Sequence, residues 1–563
     1  MSLELDEKLL ARILAIGAAF TTIFIVSGSV TDPVNVPKML SLGVVSCAAI
    51  ALVLSSQLRA RLKDVRWLLI CLILFVFFMI VSVARSNSPL SQNVFGAYGR
   101  NNGFLTYFFL SLILISAATL RSNFEFLTQA LLVAGLINVA YCLWVVSFGD
   151  FIGWSNPYGN ILGTLGNPNF IGSFLGIFFA AYLAMSIDRK SNRTFRLSAL
   201  FILPVTAFEI IESHAIQGRV VAALGVGIIG FLYIRGKFGR VVLSLYSSLV
   251  LFVGSISLLG ALQIGPLTQY IYKTSVSLRG QYWLAGWNTG ESNLISGVGM
   301  DSFGDWYRRS RDAHALVLPG QNTVVNAAHN VPLDIFAFGG LPLFCIYLLI
   351  LSFALIAAVR VIVRSKNFDS TFAILLTAWA GYQVQSVISI NQIGLAIWGW
   401  LLSGALIAFE IASRNESRNL NESTRVKVKS QKSVVIQPKM ILAGSLGGLI
   451  GLILALPPLA ADTKWRSAQV ARTVPAIEAS MASSYFNPQN VVKYLMNIQA
   501  LEESNLSDLS HKYAVDAVKW NPESFDLWRA LYFLKNSTPD ERQLAFLNMK
   551  RLDPLNPDVA SSQ

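Results

Sequence analysis

The chain has 563 residues, of which 54% are hydrophobic and only 13% charged, with a mean hydropathy of +0.55. That balance excludes an ordinary soluble domain. The net charge of +13 sits in short clusters between apolar runs, a pattern that excludes a nucleic-acid groove and reads as membrane orientation.

Lipid offers the backbone no hydrogen-bond partner, so a span must be a helix or part of a closed barrel, and a helix needs about 20 apolar residues. Thirteen runs predict helices: 9–26, 36–54, 67–84, 104–120, 124–148, 170–187, 197–211, 220–234, 241–262, 335–359, 372–390, 393–411 and 440–459. The seventh and eighth are the shortest. Lys8 and Arg12 flank the start of the first run, but no small-x-small cleavage site follows it, so it reads as a span. Cys47, Cys71, Cys142 and Cys345 lie in or beside these runs without CxxC spacing, which implies neither a disulfide framework nor a zinc site.

Alternate connections are basic. They carry Arg59, Arg61, Lys63 and Arg66; then Arg121; then Arg189, Lys190, Arg193 and Arg196; then Arg235, Lys237 and Arg240; then Arg360, Arg364 and Lys366. Positive loops stay cytoplasmic, so the alternation predicts a multi-pass protein of the inner or plasma membrane with a cytoplasmic N-terminus and an extracytoplasmic C-terminal part. The expected organisation is all-α. A polytopic membrane domain spans 1–412, with a long outer loop at 263–331; a basic cytoplasmic linker at 413–438 and a last span at 439–460 lead to an extracytoplasmic helical domain at 461–563.

The outer loop is far longer than most ordered connections and rich in Trp, Gly and Arg, which predicts an ordered, functional segment folded back on the membrane. In the C-terminal domain Asn487-Pro488, Asn521-Pro522 and Asp553-Pro554 recur at spacings of 34 and 32, the tetratricopeptide period. Ala517, Trp528 and Leu531 fall where such helix pairs need small or large apolar residues. Repeats of this kind bind or position a protein partner.

HExxH, Walker, GxSxG and DxD patterns are absent, so neither a metal site nor a soluble nucleotide donor is implied, and no cofactor is expected. What remains is polar residues on the outer side. Gln217-Gly218-Arg219 opens the eighth span, where an arginine at membrane depth either lines a wet cavity or snorkels to the interface. Arg279 lies in Ser277-Leu278-Arg279-Gly280-Gln281-Tyr282-Trp283, and His329-Asn330 precedes the tenth span. By themselves these read as a surface charge and a helix cap; their shared side of the membrane joins them into one candidate site. Glu209 and Glu212 can pair with Arg219 or line the cavity but read more simply as interfacial, as does His214. Arg308, Arg309 and Arg311 read as a phosphate or acidic-sugar contact, or as a solvated face. Asp301 and Asp305 are too isolated to argue a metal site.

Arg279 with Trp283 and Trp287, then Gly297-Val298-Gly299 and Phe303, then His329-Asn330, Leu333 and Gly339-Gly340 together resemble the O-antigen ligase and O-antigen polymerase family. Gln217-Gly218-Arg219 is similar to that family's Ser-Arg-Gly segment, although the serine and the trailing glycine are missing. Tyr98-Gly99-Arg100-Asn101-Asn102-Gly103 and Gly166-Asn167-Pro168-Asn169-Phe170 resemble members with C-terminal tetratricopeptide repeats.

The resemblance implies metal-independent transfer of a glycan from a polyprenyl-diphosphate carrier, such as undecaprenyl diphosphate, to a glycan, lipid or protein acceptor hydroxyl on the outer leaflet. Arginines suit a departing diphosphate because charge-assisted, bidentate hydrogen bonds strengthen as its charge grows. Arg219 and Arg279 are the candidates, and a histidine of near-neutral pKa, His329, suits deprotonation of the acceptor. The expected catalytic set is therefore His329, Arg279 and Arg219, with Arg219, Arg279, Asn330 and Trp283 binding substrate. A lipid-linked glycan transporter or flippase and a protein O-oligosaccharyltransferase are the alternatives.

Overall fold

The computed structural model describes residues 2–157, 159–422 and 438–560. Regular structure among them is helical, apart from one isolated bridge between Ser484 and Asn487, and the protein is an all-α polytopic membrane protein. Every one of the thirteen expected runs forms a helix. Ten of these helices are long and apolar enough to cross a membrane; Ser2–Ile23, Phe104–Ala118 and Ser370–Ile388 are the others. Their deficits have plain causes. Ser2–Ile23 opens on Glu4, Asp6, Glu7 and Lys8, Phe104–Ala118 has only 15 residues, and Ser370–Ile388 carries Thr377, Gln383, Gln385 and Ser386. The last two are mostly buried between other helices, so they do not need an apolar face towards lipid. Arg240–Ala261 is the opposite case: its apolar side chains, such as Leu245 and Leu251, are exposed, as suits a helix whose neighbour is lipid.

Small residues set the closest crossing. A β-carbon on Gly447 would meet the Cys47 carbonyl at 2.5 Å, and one on Gly451 would strike the Gly43 carbonyl, so Asn35–Ser55 and Pro438–Ala471 approach backbone to backbone. Gly225-Val226-Gly227-Ile228-Ile229-Gly230 has the spacing of a dinucleotide fingerprint. It lies inside the helix Ile216–Lys237, however, where Gly225 faces Ala180 and Gly230 faces Tyr246, so its glycines serve helix packing, with no strand before them.

Two helices run beyond their expected limits. Ile393–Glu422 continues into the expected linker, whose residues 423–437 lie outside the described residues, and Pro438–Ala471 passes the expected span end by about three turns. Its extension is fixed by Asp462, whose Oδ2 accepts from the backbone N–H groups of Thr31 and Asp32 at 2.7 and 2.8 Å.

The two ends of the bundle differ. At the basic end Arg61 pairs with Glu7 at 2.9 Å, Arg121 with Asp64 at 2.9 Å and Arg364 with Glu410 at 2.6 Å. The opposite end gathers the connections around residues 24–34, 86–103, 263–330 and 389–392. Lys38 caps the helix Ser2–Ile23 there by donating to the carbonyls of Thr21, Thr22 and Phe24. Ser86 donates to Val298 O, and Asn102 to Asn391 O.

Beyond Ala471 short helices surround a second core that contains Leu501, Ala517, Leu527, Trp528, Leu531 and Ala545. Asn521 and Asp553 occupy equivalent places, each just after the end of a helix, Ser507–Trp520 and Pro539–Leu552. Asn487 does not; it follows a bend and holds Lys493 at 3.1 Å.

Candidate functional site

The turn that carries His329 is closed from both sides. Asn330 Oδ1 accepts from Leu333 N at 3.1 Å, capping the helix Val331–Arg364, while Asp334 Oδ1 accepts from Ala328 N at 2.6 Å. Between them His329 adopts φ 56°, the left-handed region that a β-carbon disfavours. Trp283 Nε1 donates to the His329 carbonyl at 3.4 Å, and the Tyr282 ring lies 5.2 Å from the imidazole, centroid to centroid. Among the described residues the imidazole nitrogens make no hydrogen bond, leaving both for an incoming group. Burial, and then the positive charges of Arg100 and Arg279, push the His329 pKa down to about 3. The expected near-neutral pKa is thereby corrected: desolvation and two guanidinium groups both disfavour the imidazolium, so the resting ring is neutral.

Arg279, on the helix Thr274–Ser292, is half-buried. Among the described residues its Nη1 reaches only the carbonyl and hydroxyl of Ser275, at 3.3 and 3.4 Å, and its buried Nε has no partner. No carboxylate pairs with it among the described residues, and burial lowers its pKa. A guanidinium that has surrendered part of its hydration and found no counter-ion is prepared for an anion.

The residue that sequence reasoning left out of the site is Arg100. Asp301 Oδ2 accepts from Ala97 N at 2.7 Å and from Asn102 N at 3.0 Å, which fixes the loop that carries it. Arg100 lines a cavity of about 480 Å³ together with Asp32, Asn35, Trp154, Gln392 and Arg466, and its charge acts on His329. The signal was present in Tyr98-Gly99-Arg100-Asn101-Asn102-Gly103, but its link to the site runs through Asp301, some 200 residues away in the chain.

Arg219 is exposed on the first turn of Ile216–Lys237, and among the described residues no contact joins it to Arg279 or His329. Its neighbour Gln217 is buried and bonds Ser173 and the Ile388 carbonyl at 3.3 Å. Glu209 is not interfacial as expected: it is fully buried, and among the described residues neither carboxyl oxygen has a hydrogen-bond partner. His214 is exposed, its carbonyl accepting from Lys273 Nζ at 3.4 Å.

Residues 199–348, which contain Arg219, Arg279, Trp283, His329 and Asn330, match the family model described as O-antigen ligase. Over this segment the chain carries an O-antigen ligase domain. Its general activity is accordingly glycan transfer of the O-antigen ligase or polymerase type. A comparison with curated proteins gives no match.

In this O-antigen ligase segment the two glycine motifs are mated to each other. Val298 N donates to Ala337 O at 3.0 Å, Gly299 N to Phe338 O at 3.1 Å and Leu341 N to Leu294 O at 2.7 Å. Gly340, at φ 68°, breaks the helix Val331–Arg364 to free those carbonyls, and a β-carbon on it would meet Leu294 O. These glycines hold the long loop against the helix that His329 precedes. The arginine cluster of the same segment is neither a solvated face nor an open phosphate contact. Arg308 and Arg311 are buried, and Asp553 takes both, at 3.0 and 2.8 Å.

Proposed function

We propose that this protein, through its O-antigen ligase domain, transfers a glycan from a polyprenyl-diphosphate carrier to an acceptor hydroxyl on the outer face of the membrane, without a metal. The observation that carries the reading is Arg279: half-buried, without a carboxylate partner among the described residues, and close enough in charge to lower the pKa of His329. A lipid diphosphate supplies the missing counter-charge. The acceptor oxygen attacks the anomeric carbon, the bond from that carbon to the diphosphate breaks, the electron pair leaves with the diphosphate, and the acceptor proton passes to His329.

The depressed pKa gives this sequence an order. Beside the positive charges of Arg100 and Arg279, His329 is a poor base. An anionic donor beside them offsets their charge, raises the proton affinity of the imidazole and readies it for the acceptor. Arg219, exposed at a helix N-terminus, serves the donor before it reaches Arg279. Trp283 binds substrate only indirectly on this reading, since its Nε1 is engaged with the His329 carbonyl, and Asn330 acts as the helix cap through its Oδ1.

The test is transfer by purified protein from a synthetic polyprenyl-diphosphate oligosaccharide in excess chelator, with products sized on a gel. A ladder marks polymerisation, a single larger lipid marks ligation, and label on protein marks protein glycosylation. Movement of the donor across a vesicle without any product would leave the transporter reading in its place.

A further inference from the structure

The short helix Phe303–Ser310 is held from the C-terminal helices. Asp553 accepts from Arg311 Nη2 with both carboxylate oxygens, at 2.9 and 2.8 Å, and from Arg308 Nη1 at 3.0 Å; neither the Arg311 nor the Asp553 side chain is exposed. Glu523 bonds Arg309 and is in turn held by Arg551 at 3.2 Å. Asn521, the counterpart of Asp553 one repeat earlier, donates to both Asp305 carboxylate oxygens at 3.3 Å. The recurring residues of the C-terminal part thus point at one helix of the long loop.

That helix leads in turn to the candidate site by two routes. Tyr307 packs edge-on against Tyr282, 6.2 Å between centroids, and Tyr282 faces His329 at 5.2 Å. Just before the helix, Asp301 fixes the loop that carries Arg100. Removing Asp553 would leave Arg311 in a buried place without its anion and Arg308 with only the partly exposed Asp526 at 3.2 Å, and rehydrating Arg311 requires the helix to lift.

We infer that the C-terminal repeats are an intramolecular brace for the transfer site, with Asp553 as a positioning residue that acts through Arg308 and Arg311. The brace is a property of the fold; its effect on catalysis rests on the proposed transfer. It also revises what the repeats do: their Asn521 and Asp553 positions are occupied by this chain's own loop, and deleting the C-terminal part exposes a buried face of the membrane part rather than leaving it intact.

The test uses the full-length protein in detergent, comparing wild type with Asp553→Ala, Asp553→Asn and Asp553→Glu by hydrogen exchange read segment by segment and by transfer kinetics. Exchange over 303–325 and around 282 and 329 should rise at least about tenfold in Asp553→Ala and Asp553→Asn, while the core at 494–531 keeps its protection. Turnover should fall at least about tenfold with donor KM changed less than threefold, and Asp553→Glu should recover part of both. Unchanged exchange over 303–325 overturns the brace, and so does equal loss of protection at 494–531, which would make Asp553 a residue of the repeat core. If wild type itself transfers no glycan, the proposed activity fails, while the exchange pattern still decides the brace.

Discussion

Tyr282 faces His329 with ring centroids 5.2 Å apart and planes inclined by 30°, so the imidazole is held by an aromatic surface while its nitrogens stay open. A ring contact of this kind contributes about 1 kcal/mol, or roughly fivefold in rate if it acts on a productive orientation. Tyr282→Phe keeps the surface and should retain transfer within about twofold, whereas Tyr282→Ala should lose about three- to tenfold in kcat with donor affinity unchanged. Equal losses in the two variants would assign the work to the hydroxyl instead.

The pH profile follows from the neutral imidazole. With the His329 pKa down at about 3, by burial first and by Arg100 and Arg279 after it, donor-free enzyme should show no His329 titration between pH 5 and 8. Replacing either arginine by glutamine removes a positive neighbour and should raise the pKa, as followed by NMR of ring-labelled histidine. An ordinary titration midpoint near 6.5 in the wild type would contradict the geometry.

Asp301 should make the fold less stable as pH rises. Its carboxyl is buried, which raises its pKa to about 6 against the lowering effects of the Ala97 and Asn102 N–H groups and Arg100, with Asp305 raising it further. A raised folded-state pKa means stability that is full below the unfolded value of 3.8 and is lost as pH climbs through about 6, at most about 3 kcal/mol. The difference in melting temperature between wild type and Asp301→Asn should therefore shift in favour of the variant between pH 4 and 7. A difference independent of pH would show that Asp301 stays ionised throughout.

For Asn330 the capping bond to Leu333 N makes a distinct forecast. Asn330→Asp and Asn330→Ser preserve a cap and should fold and turn over nearly as wild type, while Asn330→Ala should lose about 1 kcal/mol of stability. Weakened donor binding in the aspartate variant with full stability would restore the substrate-binding role first expected of this residue.

How much of this was legible in the sequence differs by residue. The thirteen helices were, because apolar runs of the right length have few other solutions in lipid. His329 and Arg279 were, through their motif. Arg100 was not, since its place beside His329 depends on Asp301 across two loops, and the fate of Arg308 and Arg311 was not, since a charge run carries no sign of its partner. The repeat spacing located Asn521 and Asp553 but not their direction: both look inward at the chain that carries them.

The central claim is a division of labour in which Arg279 grips the donor and His329 moves the proton, and it is tested most directly by labelled-donor binding beside single-turnover transfer in folded variants. His329→Ala should bind donor within about twofold of wild type and transfer at least about a hundredfold more slowly. Arg279→Ala should lose both, with Arg279→Lys recovering only part, because a point charge does not reproduce the planar fork. Near-normal transfer by His329→Ala, or intact donor binding by Arg279→Ala, would contradict the account.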